Sequence, residues 1–352
     1  MYLAIKEILH EKVRYSLIIS MFILISYLIL ILTGLMLGLA NENTAAVRSW
    51  DTETVFLNKN SNDSLSQSII TKDQASHLKK DDALVGVSPV VIENKDGKDK
   101  QNIQFIGLDK NQFIAQDKIE ITSGRKATKD NEIVLDRELK NKGYHLNQTV
   151  TINSGTTPYK VVGFAKNAKL NIASVAYGSL GTWQQLKGTN SDVVASGIFS
   201  TKEQASSAFP QLKKYTVDQF IQKLPGYKSQ NSTFAFMIGF LMVISLIIIA
   251  VFLYILTLQK LPNFAVLRAQ GVPAKHLVYT TLAQAVLLVV IGTIGGLLLT
   301  LLTSVFMPSS VPILMNWPLI FILSGVMVLL GMGGALLPIR VILKIDPVKA
   351  LN

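Results

Sequence analysis

The 352-residue chain has no cysteine. That removes disulfides, thiolate metal sites and cysteine nucleophiles together, and any part of it outside a cell must be stable without cross-links. G-x-x-x-x-G-K-[ST], H-E-x-x-H and G-x-S-x-G are also missing, so the chain has no P-loop, zincin helix or nucleophile elbow. Charge is scarce, at 16% of residues, and mean hydropathy is +0.37. The scarcity is uneven. Charges crowd the middle, and long stretches nearer the ends have none.

Those stretches are residues 17–40, 232–258, 277–306 and 317–338, with no Asp, Glu, Lys or Arg in any of them. About 20 predominantly apolar residues cross a bilayer, and a buried helix of a soluble protein would show a polar face. Four transmembrane helices are therefore expected, the run at 17–40 being too long for the apolar core of a signal peptide. No intramembrane carboxylate marks a proton-coupled pump, so uphill transport would need energy from a partner. Lysine and arginine in short flanks set orientation. Lys6, Lys12 and Arg14 precede the first span, Lys260, Arg268 and Lys275 lie in 259–276, and Arg340, Lys344 and Lys349 lie in 339–352; the 307–316 loop is uncharged. Both termini and 259–276 are expected in the cytoplasm of a multi-pass cell-membrane protein, with 41–231 outside and 307–316 as a short outer loop. That arrangement splits His10 and His276 from His77 and His145, against one histidine-based metal site; no intrinsic metal is expected. In residues 1–16, Ile5, Ile8, Leu9 and Val13 share one helical face opposite Lys6, Glu7, His10, Glu11 and Arg14. This pattern suits an interfacial amphipathic helix; the plainer reading is a cytoplasmic extension of the first span.

Residues 41–231 hold 25 basic and 20 acidic residues, interspersed. That is an ordinary solvated surface, unlike the one-sided basic face of a nucleic-acid binder. Thr71 with Gln74, and Ser200 with Glu203, are capping-box patterns and predict helices to about residue 80 and over 202–208. Residues 84–87, 90–92 and 103–106 read as strands, with an Asp96-Gly97 hairpin turn. Residues 137–141 read as a helix stopped by Gly143. Residues 149–152 and 159–164 form a hairpin about Ser154-Gly155, 182–187 are helical, and a helix over 217–224 breaks at Pro225. The domain is α+β.

Two cytoplasmic motifs go beyond composition: Phe-Ala-Val-Leu-Arg-Ala-Gln-Gly at 264–271, and Lys-Ile-Asp-Pro-Val-Lys-Ala-Leu at 344–351. They resemble the signature of FtsX/MacB-type ABC transporter permeases. Ile-Thr-Ser-Gly-Arg at 121–125, Glu-Ile-Val-Leu at 132–135 and Tyr-Lys-Val-Val-Gly-Phe at 159–164 resemble that family's extracytoplasmic, MacB-like domain. The likeness covers essentially the whole chain. Leu-Ala-Ile-Lys-Glu-Ile at 3–8 and the domain's size are most similar to the family's haem-export branch in Gram-positive bacteria.

The resemblance implies a non-catalytic permease subunit, a homodimer in the lipid bilayer, and a separate ABC ATPase that binds ATP and Mg. It implies no permanent cofactor, no nucleic acid, and haem as transported ligand. In the family the loop after span two docks on the ATPase. Here Phe264, Val266 and Leu267 would fill a groove, Arg268 would add charge, and Gly271 would end the helix; the plainer alternative is a helix resting on headgroups. Haem needs flat apolar walls and polar groups at the rim. The candidates at the outer ends of spans one and two are Glu42, Asn43, Tyr227, Phe236, Met237 and Phe240, with Tyr177 on the domain. Each has a plainer role: Tyr227 as an interfacial anchor, Phe236 and Phe240 facing lipid, Glu42 capping a span in water. Gly34 and Gly38, and Gly292 and Gly296, have the spacing that lets helices approach closely. Export of peptide, antibiotic or lipoprotein, and FtsX-like activation of a cell-wall hydrolase, are the competing functions.

Overall fold

The computed structural model describes residues 11–94, 100–308 and 311–343. The motif at 344–351, the Asp96-Gly97 turn and most of the expected N-terminal helix lie outside these residues. Contacts divide the chain into two compact units, one of residues 39–230, the other of 1–38 with 231–352.

The first helix, α1, spans Lys12–Ser49. The α+β unit then builds an 11-stranded sheet, ordered β13-β1-β12-β3-β4-β10-β6-β8-β5. Its central strands are β3 (Asp82–Asn94), β4 (Lys100–Leu108), β10 (Ala173–Ser179), β6 (Glu132–Asp136) and β8 (Tyr159–Ala165). On one side lie β12 (Gly197–Ser200), β1 (Thr54–Asn58) and β13 (Leu212–Thr216), and the far edge is β5 (Ile121–Gly124). The strand β7 (Thr149–Ile152) pairs with both β3 and β8, and β9 (Lys169–Leu170) pairs with β10. Two pairs are parallel, β4 with β10 and β6 with β8. A small second sheet joins β2 (Ile70–Thr71) to β11 (Val193–Ala195).

The helix α2 (Leu180–Lys187) lays fully buried Trp183 over Gly86, where any Cβ would overlap the indole, and against Gly107, where it would overlap the Trp183 Cβ. The helix α3 (Val217–Lys223) starts at a reciprocal Thr216–Gln219 capping box. Trp50, from the end of α1, meets Phe199 edge-on with ring centroids 4.9 Å apart, and Phe199 meets Phe220 at 5.7 Å.

Three local expectations differ from the structure. Residues 84–87 and 90–92 belong to one strand, β3. Pro89 is exposed between the stretch of β3 that pairs β12 and the stretch that pairs β7, where its missing N–H leaves no ladder bond unmade. The Thr71–Gln74 side-chain bonds both form, but they close turns rather than start a helix. Ser200 lies in β12 opposite Thr54, and only Ser206–Ala208 winds, as one 3-10 turn. Strand pairing takes the residue that the capping pattern needed.

Among the described residues, four helices are long and apolar enough to cross a membrane. After α1 they are α4 (Tyr227–Gln259), α6 (Ala274–Phe306) and α7 (Trp317–Gly334) with its continuation α8 (Leu336–Leu343). The short α5 (Leu261–Ala269) lies between α4 and α6. Pro338 has no N–H for the carbonyl of Gly334, which accounts for the α7–α8 break. Within this unit α6 packs on α1 through glycine. A Cβ on Gly292 would overlap Phe22, and one on Gly296 would come within 2.6 Å of the Ser26 Cβ. Gly34 and Gly38 lie instead against Ile313 and Pro312 of the loop before α7, and the Leu314 N–H donates to the Gly34 carbonyl at 3.0 Å. Buried hydroxyls return to their own helix, as when Thr33 donates to Ile29 O at 2.7 Å and Thr300 to Gly296 O at 2.8 Å. That satisfies a polar group where no water can.

Candidate functional site

The expected cargo residues fall in both units. Glu42, Asn43, Tyr177 and Tyr227 belong to the α+β unit; Phe236, Met237 and Phe240 belong to the helical one.

Glu42 is not a free cap. Its carboxylate lies 3.1 Å from the Lys169 ammonium. Lys169 also reaches Glu138 at 2.7 Å and Asp136 at 3.3 Å, and the Ser174 hydroxyl donates to Asp136 at 2.8 Å. Three carboxylates therefore share one ammonium that is 12% exposed. Burial pushes the Asp136 carboxyl up, against the pull of Lys169. Burial works to lower Lys169 as well, but the Glu138 hydrogen bond and the charges of Asp136 and Glu42 outweigh it and hold the ammonium above its ordinary range. The causes differ, burial at Asp136 and the surrounding carboxylates at Lys169, but in both cases the proton is held more tightly than usual.

The corner between β9 and β10 grips α1 at the same point. The Asn171 N–H donates to the Asn43 carbonyl at 3.1 Å and the Ile172 N–H to the Glu42 carbonyl at 3.2 Å. To do so, Asn171 and Ile172 take φ of 52° and 62°. That region is uncommon for any residue with a side chain and strained for a β-branched one. Asn43 is 1% exposed, and its amide donates to the Leu39 carbonyl at 3.0 Å. Its Oδ1 is buried and unpartnered among the described residues, as is Nε2 of neighbouring Gln230.

Tyr177 and Tyr227 are both core residues, 4% and 7% exposed. Tyr177 sits in β10 between Ile106 and Val134, and burial raises its pKa. On α4, by contrast, Phe236 is 75% exposed, Phe240 58% and Met237 42%. The two rings stack with centroids 6.3 Å apart and planes 17° from parallel, an exposed aromatic pair with Met237 next to Phe236 in the chain.

The coupling residues separate in a similar way. Phe264 and Ala265 are buried against Leu277 and Ile342, with Leu267 packed beside them. Val266 is exposed and Arg268 half-buried. Gly271, at φ 90°, ends the segment as expected, and the Val272 N–H donates to the Leu267 carbonyl at 3.0 Å.

Sequence reasoning missed Lys169, Asp136 and Glu138, whose meeting with Glu42 depends on topology alone. It also missed what joins two of the motifs. Arg125 grips Glu132 through both nitrogens, Nη1 to Oε2 at 2.7 Å and Nη2 to Oε1 at 2.5 Å. The Thr128 N–H adds a bond at 3.0 Å. The Arg125 hydrogen bond, helped by Thr128, holds the Glu132 carboxyl down at about 2.

Residues 17–211 match the MacB-like periplasmic core domain, and residues 235–347 match the FtsX-like permease C-terminal domain. The chain belongs to the FtsX/MacB-type permease family. As such it is a membrane protein of ABC-transporter type, whose transport implies an ATPase partner. Two staphylococcal relatives carry the provisional name hemin transport system permease protein HrtB. The one from Staphylococcus haemolyticus is 25% identical over 357 residues, and one from Staphylococcus epidermidis is 25% identical over 355; each comparison covers 100% of this chain and 99% of the relative. Among solved structures, the periplasmic region of MacB from Actinobacillus actinomycetemcomitans is 18% identical with a TM-score of 0.36, over 49% of this chain and 91% of that one.

Proposed function

We propose that this permease, as a homodimer with an HrtA-like ATPase, exports haem from the membrane. The observation that carries the reading is the Phe236–Phe240 pair, two exposed, near-parallel aromatic rings with Met237 next to Phe236 in the chain. Haem presents a planar apolar face and an iron that accepts thioether or tyrosine ligands. Full-length similarity to proteins named for hemin transport supports the same cargo. Glu42 is engaged by Lys169, so in this reading it orders the domain rather than ligating iron. Tyr177 and Tyr227, both core residues, act in the same way. Val266 and Arg268 meet the ATPase, and Phe264 holds α5 in place from behind. Both termini are cytoplasmic and the α+β unit is outside.

The test is haemin titration of the purified protein. Phe236→Ala with Phe240→Ala is expected to weaken haemin binding by about tenfold, as for the loss of one or two aromatic contacts of about 0.5–1.5 kcal/mol each. Unchanged affinity and an unchanged Soret band in that variant would remove haem from this surface.

A further inference from the structure

A cleft of about 510 Å³ opens on the α+β unit, within the size range of small-molecule sites. Its position follows from the sheet. The parallel strands β4 and β10 end together, with Leu108 and Ser179 as register partners, and Val134 of β6 lies opposite Tyr177. The Tyr177 and Val134 side of the cleft is its floor, and Ala115, Ile119 and Ala127 make an apolar wall. The Asp130 side of the cleft is tied to the start of α2: Ser179 Oγ accepts the Thr182 N–H at 3.0 Å, and the Thr182 hydroxyl donates to the Asp130 carbonyl at 2.6 Å.

The rim is cationic. Lys110 comes from the segment after β4, and Lys126 and Lys129 come from the loop between β5 and β6. The Lys126 ammonium is steadied by the Gln116 carbonyl. Two aspartates share the rim, and Asp109 is partly occupied by the Asn111 N–H at 2.9 Å. The balance is a small positive excess over an apolar floor. It suits one or two acidic groups on an apolar body and is too weak for a polyphosphate.

We infer that this cleft binds an anionic amphiphile, a compact apolar molecule bearing one or two carboxylates, with its body over Tyr177 and its acid groups at the lysine rim. The inference stands apart from the cargo reading, which uses α4. Protoporphyrin IX is a suitable probe because it is flat, apolar and dicarboxylic, and its dimethyl ester is the matched uncharged control.

The test is lysine acylation of the full-length protein, read by mass spectrometry. With free protoporphyrin IX at about nine times its Kd, Lys110 and Lys129 should be modified about tenfold more slowly, while exposed Lys72, away from the cleft, is unaffected. The ester should give no protection. Ala127→Trp, which fills the cleft, should abolish protection by the acid, while Phe236→Ala with Phe240→Ala should leave it intact. Unchanged modification rates in the wild-type protein would overturn the inference, as would equal protection by the ester or protection that survives Ala127→Trp. Because the ester comparison uses the unmodified chain, it stands even if Ala127→Trp folds poorly.

Discussion

At the scale of single residues, Lys169 is the most consequential side chain that the sequence conceals. Two of its carboxylate partners, Asp136 and Glu138, flank the end of β6, and the third, Glu42, is far from them in the chain, on α1. Removing the cation leaves them uncompensated in a buried place, the situation in which breaking an ion cluster costs most. Lys169→Met is expected to destabilise the protein by about 3–5 kcal/mol, read as a lower unfolding midpoint in detergent; Lys202→Met, whose Asp81 pair is exposed, should change it by less than about 1 kcal/mol. Glu132 gives a prediction about pH. Its folded pKa, about 2, lies below the ordinary 4.5. The stability it contributes is therefore complete above the ordinary value and lost as pH falls from there toward 2. Asp136 works in the opposite sense, since its raised pKa makes ionisation unfavourable and acid relieves the cost. Glu132→Gln should therefore flatten the acid-side fall in unfolding midpoint, and Asp136→Asn should not. The motifs around Arg125 and Glu132 were legible in the sequence, but their bidentate pairing was not, because a seven-residue separation across a loop implies no particular contact.

At the scale of elements, most signals carried within a few residues were read well, the Thr71–Gln74 pattern that closes turns instead of starting a helix being an exception, and those needing a distant partner were not. Gly143 and Gly271 stop their helices at positive φ, as local chemistry requires. The Ser200–Glu203 pattern misled because β12 pairs with β1, a contact 146 residues away by register. The membrane helices follow from uninterrupted apolar length. Which glycines carry the packing does not, since glycine is common in such helices. Gly296→Val should cost about 1–3 kcal/mol by overpacking against α1, whereas Gly325→Ala, with open space around it, should be neutral or slightly stabilising. Denaturation in detergent measures both. On α5, exposed Val266 and buried Phe264 should separate cleanly: Val266→Asp abolishes coupling to the ATPase with the fold intact, and Phe264→Ala lowers stability first.

At the scale of the whole molecule, charge segregation and span length were enough to read a membrane protein with one α+β domain between its first and second spanning helices. The proposed cargo surface keeps only some of the residues that the sequence suggests, Phe236, Met237 and Phe240 on α4. Glu42, Tyr177 and Tyr227 are residue types suited to haem, but folding takes them into an ion cluster and a core, and no sequence periodicity signals that. The absence of cysteine makes orientation easy to test. A single cysteine at Lys72 should react with an impermeant maleimide added to whole cells, and one at Asn263 should react only after permeabilisation. Cargo is the central claim. It is tested most directly by the ATPase rate of the permease–ATPase complex in proteoliposomes as haemin is added. A saturable rise that parallels haemin binding, and is lost in the Phe236→Ala, Phe240→Ala variant, is expected. A rate indifferent to haemin, with no haemin bound to the wild-type complex, would contradict it.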